Sequence, residues 1–202
     1  MPQTPVKPGR SNQRQRTRKD LLEAAGRLMR SGEKPSLEAI AEAALVSRAT
    51  AYRYFANLDD LLVEAALHMS TPEAAELFPE GPPEDAVTRL GRVDDALDAM
   101  MAANEGTLRL MLSSAVQRGR AGPDDPPRRQ NRRSPMIEAA LAPCCSQFEP
   151  AALERLAKAL ALVVGSESMI VFKDVLGLED AEAKTIKAWV MAALVEAAKK
   201  GL

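Results

Sequence analysis

Apolar positions recur at helical spacing along most of the chain, and strand-like alternation is absent. The first such run includes Leu21, Ala24 and Leu28, and Thr17 with Asp20 ahead of it resembles a capping box. The pattern therefore predicts a first helix from about residue 17 and an all-α protein.

Three further helices, two short ones and then a longer one, are predicted to follow before the chain changes character. Ser36, Ser47 and Asn57 each precede an apolar run, and serine and asparagine are favoured N-cap residues. The third helix is expected to end near Phe55. Because only about three residues separate the second helix from the third, the pair is predicted to cross steeply as a helix-turn-helix.

Longer amphipathic segments occupy the rest of the chain and bring the expected total to about nine helices. They are predicted at about 85–104, 105–117, 150–176 and 179–199, with a short helix near 136–142 between the second and the third. We expect three regions: a disordered basic arm at 1–15, a helix-turn-helix domain at 16–70, and a larger helical ligand-binding and dimerisation domain at 71–202.

Charge is distributed unevenly between these regions. Residues 1–19 hold six basic residues and no acid, although the net charge of the whole chain is −1. Such a basic segment suits an anionic partner, but charge alone leaves a solvated tail equally open. No apolar run reaches the roughly 20 residues that a membrane span needs, so we expect a cytoplasmic protein with no membrane partner.

The predicted third helix has two chemically different sides. At 100° per residue, Ala51 and Phe55 fall on one side and can pack against the neighbouring helices. The opposite side holds Ala49, Thr50 and Arg53, and Arg48, Tyr52 and Tyr54 flank it; this outer surface has hydrogen-bonding and cationic groups but no acid. A helix fits the major groove, where arginine can bind guanine and a threonine methyl can contact thymine. Tyrosine hydroxyls at the rim suit phosphates.

Residues 17–69 resemble the DNA-binding domain of the TetR family of bacterial transcriptional regulators. The similar stretches are "TRKDLLEAA" at 17–25, "IAEAALVSRATAYRYF" at 40–55 and "ANLDDLL" at 56–62. The resemblance implies base or phosphate contacts to double-stranded DNA from the six residues of the third helix just named. It also implies a homodimer that reads a palindromic operator with two helices about 34–36 Å apart.

Two positions depart from the family's pattern. Leu45 stands in the turn where the family usually has glycine, so a left-handed turn there would carry strain or be replaced. Leu58 stands where the family usually has a lysine that contacts phosphate. Arg18, Lys19 and the basic arm are the candidates to replace that contact.

The resemblance further implies that the last two long helices form a four-helix dimer interface. Their apolar arc is wider than one subunit needs, and the candidate interface residues are Met169, Phe172, Ile186, Trp189, Val190 and Ala193. Core packing within one subunit is the alternative. The family also implies a small apolar effector, for which Met100, Met101, Leu108 and Met111 are candidate pocket residues, with ordinary core positions as the alternative.

Catalytic and metal chemistry have little support in the sequence. His68 is the single histidine, no nucleophile lies beside a base, and no metal-ligand cluster or glycine-rich phosphate loop is present. Cys144 and Cys145 are adjacent, which leaves a redox pair or two buried small residues. We therefore expect no enzyme, no cofactor and no metal.

The sequence favours a dimeric, ligand-responsive regulator that acts as a repressor and is released from DNA by a small-molecule effector. The alternative is a helical ligand-binding or interaction protein that has lost sequence-specific DNA binding, which Leu45 and Leu58 would favour.

Overall fold

The structure is a computed structural model that describes residues 8–31, 35–78, 85–119, 122, 125–127 and 129–201. All regular structure in these ranges is helical, which confirms the all-α prediction. The α-helices are α1 (Pro8–Arg30), α2 (Leu37–Ala43), α3 (Arg48–Tyr54), α4 (Leu58–Met69), α5 (Ala74–Leu77), α6 (Ala86–Ala103), α7 (Glu105–Gln117), α8 (Arg133–Leu141), α9 (Pro150–Val163), α10 (Ser166–Met169) and α11 (Asp180–Lys199).

The first helix begins earlier than predicted. α1 starts at Pro8 and passes through Thr17 without a cap, so the expectation of a disordered arm is wrong for residues 8–15. Proline is tolerated in a first helical turn, and the arginines and glutamines that follow are good helix formers. Residues 1–7 of the predicted arm lie outside the described residues.

The chain divides into two compact units, and the first holds the helix-turn-helix. This unit comprises residues 1–70 and 104–131, so α7 and the segment after it belong with α1 to α4. α1 packs against α2 and α4, and α4 also packs against α7. Its core includes Leu21, Leu22, Ile40, Phe55 and Leu61. The predicted domain ranges, as independently folding parts, stay a prediction.

The second unit comprises residues 71–103 and 132–202. Here α11 packs against α6 and α9, while α8 packs against α6 and α9. A 3-10 helix (Ala142–Gln147) follows α8 and contains the two cysteines, of which Cys144 is buried and Cys145 exposed.

A buried cluster of charged groups joins α6 to α11 in this unit. The Lys187 Nζ atom lies 2.9 Å from Asp94 Oδ1 and 2.5 Å from Asp98 Oδ2. Burial raises the pKa of Asp94 to about 6, because the loss of hydration outweighs the attraction of Lys187.

The helix predicted at 150–176 is interrupted, which corrects that prediction. α9 ends at Val163, Gly165 follows with φ +125°, and α10 leads into a π-helical turn (Ile170–Val175). Arg133 fills the break: it donates to the Ala161 carbonyl and forms a salt bridge with Glu167. A Cβ atom at Gly165 would lie 2.9 Å from Arg133 Cζ, so both the backbone and the space require glycine here.

No helix in the described part of the chain is both long enough and apolar enough to cross a membrane.

Candidate nucleic-acid interface

The caps of α2, α3 and α4 follow the prediction. Ser36 accepts a hydrogen bond from the Ala39 amide, Ser47 accepts one from the Thr50 amide, and Asn57 accepts one from the Asp60 amide. These bonds satisfy amide groups that the first helical turn leaves unpaired. The sequence therefore sets the start of each short helix locally.

The turn between α2 and α3 closes with Leu45 in the left-handed region. Leu45 has φ +55°, and its side chain is 94% exposed. Its amide donates to the Glu42 carbonyl and the Val46 amide donates to the Ala41 carbonyl, which is the Schellman arrangement that usually takes glycine. Of the two outcomes predicted, the structure shows the strained one.

α3 separates a buried side from an exposed side, as the helical periodicity predicts. Ala51, Tyr54 and the adjoining Phe55 are buried in the core of the first unit. Four of the predicted contact residues are exposed and Thr50 is half-buried; these five, Arg48, Ala49, Thr50, Tyr52 and Arg53, form what we call the outer face of α3. The outer face is therefore the part of α3 that a binding partner could reach.

Tyr54 lies in the core rather than beside Tyr52 on the rim, which corrects its predicted placement. Its side chain is only 6% exposed, whereas that of Tyr52 is 45% exposed. Tyr54 follows Ala51 by three residues, so the two share one side of a helix. Arg53 lies with its guanidinium 5.8 Å from the centre of the Tyr54 ring. A contact between the Tyr54 hydroxyl and DNA stays a prediction.

Two polar groups of the outer face already have partners within the protein. Arg48 Nε lies 2.9 Å from Glu38 Oε1 on α2, and the Arg48 guanidinium lies 5.5 Å from the centre of the Tyr52 ring. The Thr50 hydroxyl lies 2.9 Å from the Ser47 hydroxyl. α3 itself carries no acid, but α2 supplies one to this surface. Helical periodicity within α3 could not indicate this pair, because Glu38 belongs to a different helix.

Behind the outer face, Arg18 and Glu64 fix α1 and α4 to the end of α3. Arg18 donates to both carboxylate oxygens of Glu64 and, through Nη1, to the Tyr54 carbonyl at 3.1 Å. Its guanidinium also lies 4.1 Å from the centre of the Phe55 ring. Arg18 is fully buried and cannot reach a phosphate. The prediction that it could replace the contact missing at Leu58 is therefore wrong. Lys19 is partly exposed and lies 3.5 Å from Glu23.

The start of α4 is tied to α7 through Asp60. Asp60 Oδ1 accepts a hydrogen bond from the Ser114 hydroxyl at 2.9 Å, and Oδ2 lies 2.7 Å from Arg118 Nη1. Leu58, at the head of the same helix, packs partly buried against the core. Leu58 therefore supplies no cationic group at the head of α4, as the sequence predicts.

The candidate pocket residues divide between the two units. Met100 and Met101 belong to the second unit, where Met101 is buried; Leu108 and Met111 belong to the first and are both buried. Their role in binding an effector stays a prediction. Among the described residues, no group of three or more His, Cys, Asp or Glu side chains could hold a metal ion.

The candidate interface residues include four that lie along one face of α11. This face is apolar and at least partly exposed, and consists of Ile186, Trp189, Val190 and Ala193. The opposite face is buried through Lys187, Met191, Val195 and Ala198. Trp189 is 71% exposed, and Leu162 of α9 is similarly exposed. Met169 and Phe172 are half-buried.

Comparison with known protein families gives a match for the first unit. The family model described as "Bacterial regulatory proteins, tetR family" matches residues 21–65, from within α1 to within α4. No curated protein and no solved structure matches the chain.

Proposed function

We propose that the chain is a transcriptional regulator of the tetR family that binds a palindromic DNA operator as a homodimer and represses transcription until a small-molecule effector releases it. The match of the tetR-family model to residues 21–65 supports this proposal. Proteins of this family are regulators rather than enzymes, and the proposal includes no catalytic step.

The observation that carries the proposal is the exposed outer face of α3 on a firmly held helix. Arg53 supplies a guanidinium that can bind guanine through two hydrogen bonds, and Tyr52 supplies a hydroxyl for phosphate. Because the Thr50 hydroxyl is bonded to Ser47, we assign its methyl group to a thymine contact. Ala49 leaves room for close approach to the bases.

The homodimer is supported by the apolar face of α11. A helix that is buried on one face normally presents polar residues on the other, yet Ile186, Trp189 and Val190 lie on the outward face. Apolar patches of this kind mark association surfaces. A homodimer supplies two α3 helices, as a palindromic operator requires.

The effector is the part of the proposal that rests most on the family. A ligand releases DNA only if it binds better to the conformation that DNA does not favour. Met100 and Met101 are the residues we assign to its pocket in the second unit, because methionine adapts to varied apolar ligands.

The test is selection of duplexes from a random DNA pool by the purified protein at two salt concentrations. Enrichment of an inverted repeat, with affinity that falls steeply as salt rises, is the expected result. On that repeat, Arg53→Ala should cost roughly 1–3 kcal/mol and relax preference at one position in each half-site. Lys158→Ala, which removes an exposed cation from the second unit, is the matched control.

An unenriched pool would contradict sequence-specific binding and would favour a helical ligand-binding protein instead. The Tyr54→Ala substitution is unsuitable for this test, because Tyr54 is a core residue and its loss would unfold the first unit.

A further inference from the structure

Glu38 lies outside α3 but contacts its first residue. The Glu38 carboxylate on α2 forms a salt bridge with Arg48, and the same guanidinium lies near the Tyr52 ring. Both side chains of the salt bridge are about half exposed or more, at 66% for Arg48 and 48% for Glu38. The pair therefore lies on the DNA-facing surface, where a phosphate or a base can compete with the carboxylate.

Arg48 must break its salt bridge with Glu38 before it can bind DNA, which costs free energy. Arg53 makes no ion pair among the described residues, so it carries no such cost. An exposed ion pair is weak and opens readily, but its carboxylate remains beside the surface after it opens. A phosphate that attracts Arg48 would then be repelled by Glu38 at short range. A base contact through two hydrogen bonds is stronger and directional, so it can offset this cost where a single phosphate contact cannot.

We propose that Glu38 is a specificity-determining residue that keeps Arg48 from contributing to nonspecific DNA binding and releases it only to the correct bases. This inference rests on the proposed function, since it concerns how the same surface distinguishes one duplex from another. Glu38 acts through Arg48 and is therefore a positioning residue, with no contact to DNA of its own.

Measurement of nonspecific affinity tests the role directly. Wild type and Glu38→Gln are compared on the enriched repeat and on a scrambled duplex of equal length and composition, between about 50 and about 200 mM salt. Glu38→Gln should bind the scrambled duplex about threefold to tenfold more tightly, and its salt slope there should steepen by about one per subunit. Affinity for the repeat should change less, so the ratio of the two affinities falls.

Glu42→Gln is the matched control. Glu42 is also exposed on α2, and among the described residues it makes no ion pair with Arg48. It removes the same charge, so a general electrostatic effect would appear in both variants. The effect of Glu38→Gln on affinity should also vanish in an Arg48→Ala background. If Glu38 had a purely structural role, the effect would remain in that background.

The outcomes separate the two proposals. If wild type binds with a salt slope but Glu38→Gln changes both duplexes by one factor, or matches Glu42→Gln, the role of Glu38 is overturned and the proposed function stands. If wild type binds neither duplex, the proposed function fails and the role of Glu38 fails with it.

Discussion

Arg18 and Glu64 form a salt bridge with both side chains almost completely enclosed, although 46 residues separate them in sequence. The bridge joins α1 to α4. Glu64 also accepts a hydrogen bond from the Gln130 amide, and Arg18 bonds the last carbonyl of α3. The orientation of α3 thus depends on charged groups inside the protein, behind the outer face of α3.

Loss of one member of this pair should destabilise the first unit severely. Arg18→Ala leaves the Glu64 carboxylate buried without its main partner, and we expect the free energy of unfolding to fall by about 3–5 kcal/mol. Urea denaturation followed by circular dichroism measures the change.

The neighbouring cation provides the control for that experiment. Lys19→Ala removes an exposed charge from the same helix and should change stability by less than about 0.5 kcal/mol. The double variant Arg18→Met, Glu64→Leu should be more stable than Arg18→Ala, because no charge remains buried alone. Equal losses in Arg18→Ala and Lys19→Ala would contradict the assigned role.

Leu45→Gly should stabilise the protein. A left-handed conformation costs a residue other than glycine about 1–2 kcal/mol, while glycine adds about 0.4–1 kcal/mol of unfolded-state entropy cost. The expected net gain is about 0.5–1 kcal/mol, visible as a rise in Tm. Leu45→Ala keeps the backbone strain and removes the same exposed side chain, so it should stay near wild type. A gain in both variants would attribute the effect to the exposed leucine.

Local features of the helix-turn-helix were predictable from sequence, and long-range ones were not. Ser36, Ser47 and Asn57 cap their helices through groups three residues away, so the sequence alone indicates them. The strain at Leu45 follows from one residue in one turn. The burial of Arg18 depends on Glu64, which is 46 positions away in sequence, and no local pattern distinguishes Arg18 from the partly exposed Lys19.

The break in the C-terminal region was missed for a related reason. The apolar pattern of 150–176 continues across the interruption, and Gly165 by itself is compatible with a helix at a modest cost. Only the approach of Arg133 from α8 shows why the chain turns there. The start of α1 at Pro8 was not predicted, because residues 8–15 are almost entirely polar although several of them have good helix propensity.

Trp189→Glu should dissociate the proposed homodimer. A charge in place of the exposed indole should weaken association by at least about 2 kcal/mol, because large aromatic residues dominate interface energies. Sedimentation equilibrium over a range of concentrations measures this. Since Trp189 is the single tryptophan, wild-type fluorescence should also shift to shorter wavelength as the protein associates.

Leu110→Glu is the comparison for the dimer experiment. Leu110 is similarly exposed but lies on α7 in the first unit. In sedimentation equilibrium, the Leu110→Glu variant should have the same mass of assembly as wild type. If both variants dissociate, or if neither does, the assignment of the dimer contact to Trp189 is contradicted.

Asp94→Asn should alter how stability depends on pH. The folded pKa of Asp94, about 6, lies above the ordinary value of about 3.9, so the folded chain binds this proton more tightly than the unfolded chain. The ionised carboxyl therefore lowers stability above pH 6, and that loss is recovered as the pH falls towards about 4. The stability of wild type relative to Asp94→Asn should therefore rise by about 3 kcal/mol as the pH falls across this window.

Asp85→Asn should show the opposite sign. Hydrogen bonds from Thr88, and more weakly from the Val87 amide, lower the pKa of Asp85 at the start of α6. The stabilisation that the Asp85 carboxylate provides is present above its unfolded pKa and is lost as the pH falls through its folded pKa. Stability curves at several pH values measure both differences, and a common sign would contradict the assignment for Asp94.

The inclusion of α7 in the first unit limits how this unit could be grafted onto another protein. Recombination at Ser70 would transfer α1 to α4 without Ser114, Arg118 and Gln130, whose polar groups bond Asp60 and Glu64. In the transferred segment, the Asp60 and Glu64 carboxylates would then lack some of their hydrogen-bond partners. A functional chimera would need the 104–131 segment as well, so the unit to be transferred is discontinuous in the sequence.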